Sequence, residues 1–554
     1  MAMRTSNRAG TSRMNISFRA TLLLPALLTL GGGSQLAPAV QQDTHAVVAS
    51  YYPIAAKIGI EVLRDGGNAT DAFIATVLAE YVLAPGVTTL AGNFGALVYD
   101  ASNGKVSHLD GEYNNVSAVD GRFHAGDPSG KTVVVFGSVA ALFELAKHSG
   151  SRPFSELAQP AIRLAEDGFL IDATFSTMIQ WRRAQLERTE YGRTTYLPDG
   201  KPLQVGVRLQ LPEVAVFLRK LAEQGADYMY KGDWAQRCVQ EVRSQGGLLT
   251  LKDLAAYRPQ WHTPTRIEYR GYEIVGPSGR FYGGIAVQLA LKILEHGNLG
   301  EIHYSTKSDD FALLVSVMRT ALSELWLYDP KRLDDSKFIQ QQLRAKSTEK
   351  LFHNAAKFVE TEPTKSEGSH STSLVVVDSA GNIIVATHSI NALAWGEGIF
   401  VQGVALTAGG QWPNVTGPGE RRTTPLSHHI VFKNGRPWFA TSAWNGSLIE
   451  AEFQFLVNAI DYGLDVDRIA SMPRFGTYPY AVVDFSRDYS SNLVDPRVEQ
   501  QLLRELANRG LKFVQSKSAD TGLGTMVRFG KDGIPRAQNA SVGGAPAPGA
   551  VENL

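Results

Sequence analysis

The stretch from Gly368 to Asn391, GSHSTSLVVVDSAGNIIVATHSIN, constrains this chain more than any other. Two runs of β-branched and apolar residues, Thr372 to Val377 and Ile383 to Thr387, flank Asp378-Ser379-Ala380-Gly381-Asn382. Strand formers on both sides of a Gly/Asn turn cluster predict a β-hairpin. Symmetry about Ala380 sets Val377 opposite Ile383 and Ser371 opposite Ser389. Opposed side chains in an antiparallel pair lie about 5 Å apart on one face. The first strand therefore begins with a hydroxyl that meets a second hydroxyl across the ladder. Before it runs Glu360 to Ser369, ETEPTKSEGS, whose Pro, Gly, Ser and Lys predict an exposed loop.

A hydroxyl residue at a strand start, just after such a loop, becomes a chain end if the backbone is cut before it. The α-amine set free has a reference pKa of about 7.7–8.0, suited to base work near neutral pH. It can take the proton of its own hydroxyl, one form of activated nucleophile that needs no distant His or Asp. The ordinary alternative is a solvent-facing serine on an edge strand. Other constellations are absent: no G-x-S-x-G elbow, H-E-x-x-H, Walker A loop or G-x-G-x-x-G occurs. Adjacent His428 and His429 point to opposite faces of a strand and do not chelate one metal. Ser347-Thr348-Glu349-Lys350 fits S-x-x-K, and Ser490-Ser491-Asn492 fits S-x-N, but K-T-G is missing. A solvated helix face is the favoured reading of RAKSTEKLF.

Lys+Arg and Asp+Glu both number 54, so no overall field favours nucleic acid or an anionic membrane. The single cysteine, Cys238, excludes an internal disulfide framework and reads as a packed helical thiol. Four arginines, then apolar Ala20 to Leu30, then Ala37-Pro38-Ala39 predict a secretory signal over 1–39, with an uncleaved membrane-lying anchor as the alternative. An exported protein, periplasmic or extracellular, without stable membrane insertion is expected. Length alone suggests three or four domains. Pro53 to Leu83 reads as two helices broken at Gly66-Gly67-Asn68, with Asn68 or Thr70 as cap. Leu90 to Leu109 reads as two strands joined at Ala101 to Gly104, and Tyr269 to Val275 as one short strand. Helices are expected over Leu448 to Tyr462 and Val498 to Arg509. The Gly/Ala/Pro-rich tail Gly543 to Gly549 is expected to lack structure.

From about His45 to Arg536 the chain resembles the γ-glutamyltranspeptidase family of N-terminal-nucleophile (Ntn) hydrolases. The matching stretches include AAKIGIEVLRDGGNATDAFIA, LAGNFGALVYD, QGGLLTLKDLAAYRP, the hairpin, PLSHHIVFKNGRPWFAT and NAIDYGLDVDRIASMPRF, in the family's order. The resemblance implies an α+β fold, a four-layer αββα sandwich. It also implies a proenzyme cut between His370 and Ser371, so that 45–370 and 371–554 form large and small chains of one domain and stay associated. Ser371 stands where the family's nucleophile is usually Thr; Thr372, its neighbour, points to the other face by alternation. Ser389 matches a supporting Thr, and Asn391 an Asn that contacts the γ-glutamyl group. Ser427 keeps the first of a Ser-Ser pair while His428 replaces the second. Asn445-Gly446 matches the Gly-Gly of the oxyanion hole, and Asn tolerates positive φ.

Two departures bear on substrate. Glu112 stands where the family has the Arg that clamps an α-carboxylate, and Asn414 where an Asp pairs with the α-amine. Glu112 reads either as that replacement or as a surface-loop carboxylate, with Arg122 close enough in sequence to substitute. A carboxylate in place of a bidentate Arg repels what the Arg would bind. The chain is therefore expected to cleave a small-molecule amide or peptide whose acyl part need not be γ-glutamyl, through an acyl-enzyme on Ser371, with water as acceptor. No metal or other cofactor is expected. The alternatives are a true γ-glutamyltransferase/glutathione hydrolase and an unprocessed, non-catalytic family member.

Overall fold

The computed structural model describes residues 45–118, 123–124, 126–326, 329–355, 371–411, 416–478, 491–516, 521–540 and 550–553. The expected signal segment, the loop before Ser371 with His370, the Gly543 to Gly549 tail, Arg122 and Asn414 lie outside the described residues.

The elements that build the site are, in chain order, β1 (Val47–Ser50), α1 (Pro53–Arg64), α2 (Ala69–Leu83), β2 (Asn93–Asp100), β3 (Lys105–Gly111), β4 (Gln260–His262), β5 (Thr265–Tyr269), β6 (Tyr272–Gly276), α3 (Tyr282–Leu294), α4 (Ser308–Trp326), β7 (Ser371–Val377), β8 (Ile383–Ser389), β9 (Ser427–Lys433), β10 (Arg436–Trp444), α5 (Leu448–Ile460), β11 (Leu523–Phe529), β12 (Pro535–Asn539) and β13 (Ala550–Asn553). One sheet has the order β13-β1-β7-β8-β2-β3-β4, the other β12-β11-β10-β9-β6-β5. Every ladder in both is antiparallel.

Strand alternation builds the layers. Val375, Val377, Ile383, Val385, Leu97 and Tyr99 of the first sheet meet Val275, Ile430, Phe432, Ala440 and Val527 of the second in one apolar core. The alternate residues, Leu374, Val376, Ile384 and Ala386, turn outward onto α1, α2 and the helices after Ser138. On the second sheet Val431, Phe439 and Ala443 turn out onto α3, α4 and α5. The result is the four-layer αββα sandwich. Because β1 pairs with β13 as well as β7, the first and last described strands share a sheet. Residues from 44 onward accordingly form one unit rather than the three or four that length suggests.

Local chemistry explains the element ends. Asn68 caps α2 in a reciprocal capping box with Asp71. The hairpin turn is held by Asp378, whose Oδ1 accepts from the amides of Ala380 and Asn382, and Gly381 adopts φ 85°. The single strand expected over Tyr269 to Val275 is instead a hairpin, β5 and β6, turning at Arg270 (φ 48°) and Gly271 (φ 79°). Two consecutive positive φ values are what a type I′ two-residue hairpin turn requires.

Candidate active site

Ser371 and Ser389 are directly opposed, as the symmetric hairpin requires, and Val377 faces Ile383. Both serines are on the face that carries Val375, Val377, Ile383 and Val385 into the inter-sheet core. Moving along the strands from that core, the first polar layer is a set of hydroxyls. Ser373 Oγ lies 2.9 Å from Thr525 Oγ1, and Thr387 Oγ1 lies 2.7 Å from Ser442 Oγ. These two bonds among four hydroxyls tie the sheets together one row below Ser371. Ser371 and Ser389 form the next row out.

That row continues across the sheet. Ser389 is in register with Asn93, and Asn93 Nδ2 donates to Glu112 Oε2 at 2.7 Å. Ser371, Ser389, Asn93 and Glu112 thus make a polar line over four neighbouring strand positions. Glu112 is fully buried, so the surface-loop reading is corrected: the residue after β3 extends the inner face. Burial pushes its carboxyl up to about 7, against the Tyr113 amide and Asn93, with the Asp110 charge adding to the rise. Asp110 behaves oppositely. Burial opposes its charge too, but the Arg421 guanidinium, His262 and the Glu112 amide prevail and hold it at about 2.

Ser389 Oγ accepts from the Asn391 amide at 2.6 Å, and Asn391 takes φ 47°. On the second sheet, the residue next outward from Ser442 on the same face is Trp444, which ends β10. Asn445 (φ 73°) and Gly446 follow immediately and lead through Ser447 (φ 25°) into α5. The oxyanion candidates therefore occupy the same end of the sandwich as Ser371, beyond the β10–β11 ladder, at a helix N-terminus. Amides there point outward and favour negative charge.

Alternation divides the remaining pair. His428 shares the inner face with Ile430 and sits beside His108 (ring centroids 5.9 Å) and Phe281 (6.1 Å). Its register with Ser442 puts it one row deeper than Ser371. Burial, then His108 and His429, push its imidazole well below the ordinary histidine range, so it is neutral. Ser427 turns to the opposite face. Thr372 also faces away from Ser371, toward the helices. The S-x-x-K serine is an ordinary helix residue, with Ser347 Oγ donating to the Gln341 carbonyl at 3.0 Å, while Asn492 receives Arg319. Cys238 is buried in its helix, and burial raises its thiol pKa. Among the described residues no cluster of His, Cys, Asp and Glu could hold a metal ion, and no helix is long and apolar enough to cross a membrane.

Sequence reasoning missed Asn93, although period-two alternation in LAGNFGALVYD sets it on the face of Leu97 and Tyr99. It also missed Gly92, where a Cβ would collide with the Ser389 carbonyl. Gly92→Ala is expected to cost about 1–3 kcal/mol of stability as an overpacked substitution and to lower kcat at least tenfold by displacing Ser389. Paired thermal melts and turnover of the variant check this; unchanged kcat would mean the Ser389 position is not critical.

An αββα sandwich whose inter-sheet face carries a strand-initial hydroxyl defines an Ntn-hydrolase fold. The gamma-glutamyltranspeptidase family model matches residues 55–547, and the chain belongs to that family. The glutathione hydrolase proenzyme of Escherichia coli K12 is 29% identical over 473 residues, covering 77% of this chain and 80% of that protein. The acylase ACY 1 proenzyme of Pseudomonas sp. SE83 is 27% identical over 532 residues, 88% of this chain and 90% of the relative. The crystal structure of cephalosporin acylase from Bacillus halodurans superposes with a TM-score of 0.78 at 25% identity, covering 95% of this chain and 99% of that one. The protein is an enzyme of this hydrolase and acyltransferase family.

Proposed function

We propose that the protein is an exported, self-processing amidohydrolase that cleaves its substrate through an acyl-enzyme on Ser371 and does not select a γ-glutamyl group. Cleavage between His370 and Ser371 frees the Ser371 α-amine. The amine takes the Oγ proton as Oγ attacks the substrate carbonyl carbon. The resulting oxyanion is stabilised by the Asn445 and Gly446 amides. Collapse passes the proton to the departing amine and leaves an ester on Ser371. Water, deprotonated by the same α-amine, then hydrolyses that ester and restores the hydroxyl. Ser389, fixed by the Asn391 amide, orients the nucleophile, and Asn391 and His428 contact the acyl group.

The observation that carries this reading is the polar row Ser371, Ser389, Asn93, Glu112. A buried carboxyl in line with the nucleophile disfavours an acyl group that ends in its own carboxylate. The acylase relatives give the same direction. A glutathione hydrolase activity is the second reading, favoured by the Escherichia coli relative. Gel analysis of the purified protein is expected to show two chains, the smaller with Ser371 as its N-terminal residue. The matured enzyme is expected to deacylate an N-acyl cephalosporin at least tenfold faster, in kcat/KM, than it hydrolyses a γ-glutamyl anilide. The reverse order selects the second reading, and an uncut yet active chain removes both.

A further inference from the structure

Behind the two serines, on the helix-facing side of the sheet, lies a polar chain that the mechanism above does not use. His388, which precedes Ser389, places Nε2 2.5 Å from Glu80 Oε2 of α2. Its Nδ1 lies 2.7 Å from Thr88 Oγ1. Glu80 Oε1 accepts from Ser50 Oγ at 2.5 Å. The Ser50 oxygens in turn receive the Tyr52 amide at 3.0 Å and Asn539 Nδ2 at 2.8 Å. The Tyr81 ring stands edge-on to the imidazole, with centroids 5.1 Å apart and planes at 85°. Ser50, Glu80, Thr88 and His388 are all fully buried.

A buried carboxyl–imidazole pair is a costly way to fill a core, and an apolar pair of similar volume often serves stability equally well. Its position suggests another use. The ladder between β1 and β7 ends at Ser50 and Leu374, because the chain then turns through Tyr51 and Tyr52 into α1. Among the described residues, 371–373 are therefore paired along one edge only, with β8. His388 is the β8 residue in register with Thr372, and its peptide unit leads directly into Ser389. A carboxyl at Nε2 makes that nitrogen the donor and leaves Nδ1 to accept from Thr88, so one ring orientation satisfies every partner.

We propose that Glu80 and His388 are positioning residues: they clamp the end of β8 to α2, and thereby fix Ser389 and the one-edged strand that presents Ser371. This rests on Ser371 being the nucleophile. Misplacement of a reacting group by about 1 Å costs on the order of 100-fold in rate, so the clamp acts on turnover rather than on substrate affinity.

The test uses the full-length protein and four variants, reading thermal midpoint, rate of appearance of the small chain, and kcat and KM with an N-acyl cephalosporin and a γ-glutamyl anilide. Glu80→Leu is expected to lower the midpoint, processing rate and kcat together. Glu80→Gln, which can accept from Nε2, is expected to stay within threefold of wild type. The double variant Glu80→Leu/His388→Phe leaves no unpaired imidazole or carboxyl and is expected to recover the midpoint. Its processing rate and kcat are nonetheless expected to stay at least tenfold low, with KM within twofold. Recovery of kcat and processing along with the midpoint would overturn the proposal and leave a purely structural pair. Should the double variant not fold, Thr88→Val decides: a threefold or larger fall in kcat at constant KM supports the clamp, and a smaller one overturns it. Ser371→Ala runs in parallel; if it still matures and turns over, the nucleophile assignment fails regardless of what Glu80 does.

Discussion

Ser371→Ala is expected to yield one uncut chain and to lose turnover by on the order of 10⁴-fold or more, the scale on which removal of an attacking group is felt when no neighbour can replace it. The geometry explains why none can. Thr372 is the adjacent hydroxyl, but it faces the helices, in register with His388 rather than beside Ser389. Ser373 returns to the inner face, one row deeper, with its Oγ engaged by Thr525. Neither has the amine that a cut before Ser371 would create. Thr372→Ala is the matched control and is expected to mature normally. Intact mass and N-terminal sequencing read the first effect, and release of amine from the substrate reads the second. A small chain beginning at Thr372, or full activity in the uncut alanine variant, would transfer the chemistry to another group.

The parts of this site that were legible in the sequence are those fixed by local rules. Strand formers around Asp378 to Asn382 determine a hairpin, and the hairpin determines that Ser371 meets Ser389, because the side-chain period of two leaves no freedom once the turn is set. A helix start at Asn68 or Thr70 and the β2–β3 turn were legible from local residue types too; that Asn68 rather than Thr70 is the cap comes from the structure. The β5–β6 hairpin reads as one strand in the sequence because its turn is Arg270-Gly271, without the Asn or Asp that usually marks such a loop. What stayed hidden depends on contacts between distant segments. Glu112 follows a strand end, where sequence cannot tell a surface loop from an inner face; its depth comes from Asn93, Arg421 and Tyr257 arriving from elsewhere. The Glu80–His388 pair joins residues 308 positions apart. Neither has a local sequence pattern.

Glu112 also leads to a stability prediction whose direction depends on pH. Its carboxyl is raised from 4.5 to about 7 in the folded protein, and at about 1.4 kcal/mol for each tenfold change the rise is worth about 3 kcal/mol. Below pH 4.5 the group is protonated whether the chain is folded or not, and it contributes no difference. Between pH 4.5 and 7 the unfolded chain releases a proton that the folded chain keeps, so stability falls as pH rises. Above pH 7 both forms are ionised and the whole cost is present. Glu112→Gln keeps an acceptor for Asn93 Nδ2 and removes the charge. It is therefore expected to leave stability unchanged near pH 4.5 and to raise it by up to about 3 kcal/mol at pH 8, read as a higher midpoint in thermal or denaturant unfolding at the two pH values. The competing force is Arg422, a buried guanidinium that burial lowers to about 10 while the Glu112 charge acts to raise it. If that attraction outweighed desolvation, the glutamine variant would be the less stable one at pH 8, since the Glu112–Arg422 attraction would be lost. A destabilised variant at pH 8 thus identifies Glu112 as an ionised partner of Arg422, and a stabilised one as a carboxyl kept in the Ser371 row at a cost to the fold. Only the second outcome is what selection for an acyl pocket, rather than for stability, would leave behind.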